Sequence, residues 1–85
     1  MKVHELKIAS EFFEAVKDGR KKFEIRKNDR NYQEGDILIL KEYDPITQLF
    51  SGEAIKVEIS YMPDFPLQDG YVVFGIEGIW EGLDG

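Results

Sequence analysis

Lys17–Arg30, KDGRKKFEIRKNDR, is the stretch whose reading decides the fold and places the chemistry. The 85 residues include 11 Lys and Arg and 17 Asp and Glu, for a formal net charge of −6. Seven of the basic residues (Lys17, Arg20, Lys21, Lys22, Arg26, Lys27, Arg30) and only three of the acidic ones (Asp18, Glu24, Asp29) fall in this stretch. It therefore carries +4 and the remainder −10. A cationic strip on an acidic background is a candidate anion site. The acidic remainder argues against non-specific coating of nucleic acid, because phosphate is repelled by a net-negative surface.

Within the stretch, Lys21–Lys27 reads as a strand. Its alternation predicts Phe23 and Ile25 on the core side, and Lys22, Glu24 and Arg26 on the other. Upstream, Ser10–Lys17 reads as a helix with Ala9, Phe12, Phe13 and Val16 on one face. Ser10 is the expected N-cap and Gly19 the left-handed residue that ends the helix. Before it, Val3–Ile8 alternates, with His4, Leu6 and Ile8 sharing a side, as a half-buried strand does.

Downstream, Asn28–Asn31 and Gly35-Asp36 are turn signals. Ile37–Leu40 is a continuously apolar strand, covered on both faces. Asp44-Pro45 to Ser51-Gly52 reads as a long hairpin loop, followed by an alternating strand from Ile55 to Tyr61. Pro63 and Pro66 bound a loop, and Tyr71–Ile76 is the last strand. Trp80 is expected to cap the core, and residues 81–85 to fray. Five short strands of antiparallel character leave exposed edges unless they close. The expected architecture is α+β, mainly β: one domain over residues 1–85, a small barrel of about five strands with the helix plugging one end.

Composition limits the function classes. The chain has no cysteine and one histidine, so it offers neither a disulfide framework nor a thiolate or His-rich metal centre. No apolar run reaches the roughly 20 residues of a membrane helix. The expectation is a soluble, cytoplasmic domain with no cofactor, no metal and no membrane partner.

The most specific pattern is Gly19-x-Lys21-x-x-Glu24-x-Arg26. Gly19 turns the chain off the helix and sets Lys21 beside that turn. Glu24 and Arg26, two apart on a strand, face the same way. Arg26 offers a planar fork suited to phosphate or a base edge. Glu24 can orient either cation or exchange a proton. The bland alternative, a surface ion pair worth little, fits the same letters.

These residues carry a resemblance. GRKKFEIR resembles the G-x-K-x-x-E-x-R signature of ASCH domains, a branch of the PUA-like superfamily. HELKI, FFEAVKDG, KKFEIRKNDR, the Y-x-x-GD-I-L-I-L segment, EYDP and YVVFGIE extend it over nearly the whole chain. Together they are similar to a small ASCH-like family of unknown function in bacteria and phages. The resemblance implies a PUA-like β-barrel with its helix beside a cleft, a role in binding RNA or modified nucleotides, and Lys21, Glu24 and Arg26 lining that cleft. Some small ASCH proteins resemble amidohydrolases of acetylated cytidine that use a Lys, a Thr and a Glu. Lys21 matches their lysine, but Glu24 stands at their threonine position, and a carboxylate cannot replace a hydroxyl nucleophile in that scheme without a different mechanism. Glu53 likewise stands where related sequences often carry a basic residue.

The resulting expectation is an RNA- or nucleotide-binding module that uses Lys21, Lys22, Glu24, Arg26, Arg30 and Tyr43. Two alternatives accompany it. One is a small amidohydrolase or nuclease with Lys21 and Glu24 as its acid–base pair. The other is a protein-interaction module using the acidic face. His4 can act as a general base, but its place beside Leu6 and Ile8 marks it as a core histidine. Tyr32, Tyr61 and Tyr71 read as core or rim aromatics, and Tyr43 stays open for base stacking.

Overall fold

The computed structural model describes residues 1–64 and 67–79. The expectations for Pro66, Trp80 and residues 81–85 lie outside them. Strand β1 (Val3–Ala9) leads directly into helix α1 (Ser10–Lys17). Then follow β2 (Phe23–Lys27), β3 (Ile37–Asp44), β4 (Leu49–Tyr61) and, after a short 3-10 turn, β5 (Tyr71–Gly78). The five strands form one sheet in the order β1-β3-β4-β5-β2.

The interior follows the period-2 rule. Leu6 and Ile8 of β1, Leu38 and Leu40 of β3, Val57 and Ile59 of β4, and Phe74 and Ile76 of β5 all point inward and are buried. Phe13 and Val16 of α1 and Tyr32 complete this core. The helix is too short to hold itself together in water, so docking of Phe13 and Val16 sustains it. Gly19 ends it at φ +85°, as the sequence predicts. The Lys21 amide then returns to the Ala15 carbonyl at 2.9 Å.

Several expectations are corrected. The sheet is open, with β1 and β2 at its two ends, rather than a closed barrel. It is also mixed: β1 pairs with β3 in parallel, because α1 and β2 form a crossover between them. Ala9, not Ser10, caps α1 and makes no side-chain cap bond, since β1 runs straight to the helix start. Phe12 does not dock with Phe13 but is 47 % exposed. The hairpin loop is shorter than expected, because β4 begins at Leu49. Asp44 accepts hydrogen bonds from the Ile46 amide at its side chain and from the Gln48 amide at its carbonyl, which tightens the turn.

The largest correction concerns β2. Phe23 and Ile25, expected in the core, face outward, and Glu24 is buried at 4 % exposure. Antiparallel pairing explains this phase. Glu24 lies opposite Phe74, which points inward, so the two side chains share a face. β2 thus gives the interior a carboxylate where hydrocarbon was expected.

Candidate functional site

A carboxylate leaves water at a steep cost unless it is paired and hydrogen-bonded. Glu24 is both. Its Oε2 accepts a short hydrogen bond from Lys21 Nζ, and its Oε1 accepts one from Arg26 Nε at 2.8 Å. The cations take different oxygens of the carboxylate. Lys21 reaches in from the turn after Gly19, while Arg26 lies two residues along the same strand and face. Their side chains keep 18 % and 23 % of their exposure, against 5 % for Glu24. The carboxylate forms the floor of the site and the cations form its rim.

Among the described residues, neither cation is saturated. Lys21 Nζ gives a second proton to the Phe23 carbonyl at 2.6 Å, and its third has no partner among those residues. Arg26 Nη2 donates to the Lys7 carbonyl at 3.3 Å, and Nη1 has no hydrogen-bond partner among the described residues. Two rings flank Lys21 Nζ, with centroids 5.8 Å away for Phe12 and 4.9 Å away for Phe23. Ile8, Phe12, Lys21, Phe23, Glu24, Ile25 and Arg26 enclose a cleft of about 470 Å³. That volume suits a small-molecule site, apolar-walled with a few converging polar groups. A neighbouring groove of about 500 Å³, lined by Ile25, Leu67, Gln68, Asp69 and Tyr71, has no cation and no ion pair among the described residues. The chemistry therefore concentrates over Glu24.

The cleft opens at the seam between the two end strands. There, among the described residues, β1 has carbonyls with no strand beside them, and arginine side chains occupy two. Arg26 binds Lys7 O, and Arg30 Nη1 donates to Glu5 O at 3.3 Å. Side chains rather than backbone pairing span the seam, which is how an unpaired strand edge is kept from recruiting another chain.

The cationic strip does not stay together. Lys21 and Arg26 line the cleft with Glu24, as the motif suggests. Lys22 instead borders a second depression, which Lys21 also lines, beside Val57, Ser60, Ile76 and Glu77. Arg30 sits at the seam. Lys17 and Arg20 form exposed pairs with Glu53 at 3.5 Å and Asp18 at 2.9 Å, of the kind that contributes little. The Arg20 hydrogen bonds hold the Asp18 carboxyl below the usual carboxylate range. Tyr43 does not join the Glu24 group; its ring lies 5.0 Å from Phe50 and 4.5 Å from Lys7 Nζ.

His4 is a core residue, as its face predicts. It is buried, its Nε2 is 2.9 Å from Asp36 Oδ2, and its ring meets Tyr32 edge-on at 4.9 Å. Asp36 also accepts the backbone amides of Lys2 and Gln33, at 3.0 and 3.1 Å. Burial pushes its carboxyl up, but the hydrogen bonds from His4, Lys2 and Gln33 outweigh burial and hold it below the usual range. Burial likewise raises the Tyr32 phenol. His4 and Asp36 together lock the entry to β1 and β3.

Sequence reasoning missed Phe12, Phe23 and Ile25 as cleft walls, because their apolar character assigned them to the core. The available signal was positional: Phe12 and Phe23 bracket the motif lysine. Among the described residues, no His, Cys, Asp and Glu side chains gather as a metal site, and no helix is long and apolar enough to cross a membrane.

Comparison with known proteins adds two findings. The chain is similar to an uncharacterized 12.9 kDa protein from the GpA 3′ region of Escherichia phage P2. The two are 40% identical over 63 residues, which is 74% of this chain and 56% of the phage protein, so the match spans little more than half of that relative. The family model described as a domain of unknown function, DUF3850, matches residues 3–76, nearly the whole sheet and its helix, and the chain belongs to that family.

Proposed function

We propose that this domain is an ASCH-type, PUA-like module that binds RNA or a nucleotide in the cleft over Glu24. One observation carries the reading: a buried carboxylate holds two partly exposed cations beneath two aromatic walls. Phosphate is met by Arg26 Nη1 and by the remaining proton of Lys21, two charge-assisted donors already fixed in place. A base stacks against Phe12 or Phe23, whose outward orientation is otherwise an unexplained exposure of apolar surface. Glu24 acts by orientation, since both of its oxygens already accept hydrogen bonds. The same engagement weighs against Lys21 and Glu24 as the acid–base pair of a nuclease or amidohydrolase.

The test is binding of a short RNA at low salt, followed by fluorescence anisotropy. Two phosphate-facing cations predict a log–log salt slope of roughly −1.4, at about −0.7 per contact for single strands. Arg26→Glu should remove binding. Arg26→Gln, which avoids a second carboxylate beside Glu24, should weaken it at least about tenfold while circular dichroism stays unchanged. Undiminished affinity in a folded Arg26→Gln protein would defeat the proposal.

A further inference from the structure

Arg26 is also the start of a longer series. Its Nη2 bonds the Lys7 carbonyl at the seam. Lys7 Nζ in turn lies 4.5 Å from the Tyr43 ring centroid. The Tyr43 and Phe50 rings are 5.0 Å apart and tilted by 57°. From the cleft outward, one ring is followed by three cations and then two rings: Phe23, Lys21, Arg26, Lys7, Tyr43, Phe50. The strand register produces this order. Lys7 points outward because Leu6 and Ile8 point in, and Tyr43 lies opposite Ala9 on one side and Phe50 on the other.

Three features mark the series as a binding surface. Phe50 is 55 % exposed, a large ring left at the surface. Lys7 has no acidic partner within ion-pair distance among the described residues, unlike Lys41, which Glu5 neutralises at 3.0 Å. The series is also tied to the cleft at one point, where Arg26 bonds the Lys7 carbonyl, so one ligand can cover both.

We propose that this track carries a single RNA strand, so that the ligand is an oligonucleotide of at least about three residues rather than a mononucleotide. The proposal rests on the nucleotide-binding reading of the cleft. Rings at the cleft, at Tyr43 and at Phe50 each offer one base a face, and Arg26 and Lys7 between them meet the connecting phosphates. On a chain of net charge −6, such a narrow cationic line is where a polyanion is focused. A protein partner seated on the hairpin tip at Ile46 and Leu49 is the competing occupant, and it predicts no dependence on nucleotide length.

The test is a length series at low salt: uridine 5′-monophosphate and oligouridylates of two, three, four and six residues, titrated into wild type, Tyr43→Ala and Lys7→Gln. Affinity should climb to about three or four residues and then level off. Tyr43→Ala should weaken the tetramer roughly 5- to 150-fold, the loss of one stacked base, and collapse the tetramer-to-monomer ratio. Lys7→Gln, an exposed change that leaves the core intact, should make the tetramer's salt slope shallower by about 0.7. A monophosphate that binds as tightly as the tetramer overturns the track and leaves the cleft reading in place. Absence of binding at every length overturns both.

Discussion

Replacing Glu24 by alanine should destabilise the fold far more than a surface ion pair would. Glu24 accepts two charge-assisted hydrogen bonds while 4 % exposed. At about 1.5–3 kcal/mol each, those bonds set an upper limit of roughly 3–6 kcal/mol. Two facts lower it. Lys21 and Arg26 keep 18 % and 23 % side-chain exposure and can rehydrate. Each also keeps a backbone carbonyl, of Phe23 and of Lys7. The expected loss is therefore about 2–4 kcal/mol, near the cost of orphaning a buried charge. Urea unfolding followed by far-ultraviolet circular dichroism measures it. With a slope near 1–2 kcal/mol/M for a chain of this size, the midpoint should fall by roughly 1–4 M. Removing all three charges together, as Lys21→Met, Glu24→Leu and Arg26→Met, should restore most of that loss, because buried ion networks often exchange for hydrocarbon at little net cost. The triple variant should be stable and unable to bind. If Glu24→Ala unfolds within about 0.5 kcal/mol of wild type, the carboxylate is not the floor of the site and the reasoning fails.

Asp36 and Gly19 give two further predictions. The Asp36 carboxyl is held below its ordinary value, so the unfolded chain binds its proton more readily than the folded one. Its stabilisation is present above about pH 4 and is lost as the pH falls through the lower folded value. Urea midpoints from pH 7 to pH 2.5 should drop through that window, and Asp36→Asn should flatten the drop while lowering stability at neutral pH. An Asp36→Asn profile that parallels wild type refutes this assignment. Gly19→Ala should cost about 1–2 kcal/mol: φ is +85° while an added Cβ meets nothing within 4 Å, so the cost is backbone strain alone. A loss well above 3 kcal/mol in the same urea assay contradicts that account.

Much of the fold was legible in the sequence because period-2 alternation is a strong signal when one face is polar. His4, Leu6 and Ile8 point inward as their spacing predicts, and Ser10–Lys17 is helical over the predicted span. The same signal failed at β2, where both faces carry a reason to be buried. Phe23 and Ile25 are apolar, while Glu24 brings two cations that make its burial tolerable. Alternation fixes that neighbouring residues diverge, not which set goes inside; pairing with Phe74 decides it, and that partner lies 50 positions away. The parallel β1–β3 pair was illegible for the same reason, since nothing local reports a crossover. The motif did bring Lys21, Glu24 and Arg26 together, because their spacing on a turn and strand is local. The rest of the cationic strip scattered: a run of charge in sequence becomes a patch only where the backbone holds one face.

The central claim, that the cleft over Glu24 receives a nucleotide or RNA, is tested most directly by amide chemical-shift perturbation on adding short single-stranded RNA at low salt. The account predicts shifts centred on Ile8, Phe12 and Lys21–Arg26, which fade as salt is raised. Shifts centred instead on the Leu67–Tyr71 groove, or none at saturating RNA, would contradict it.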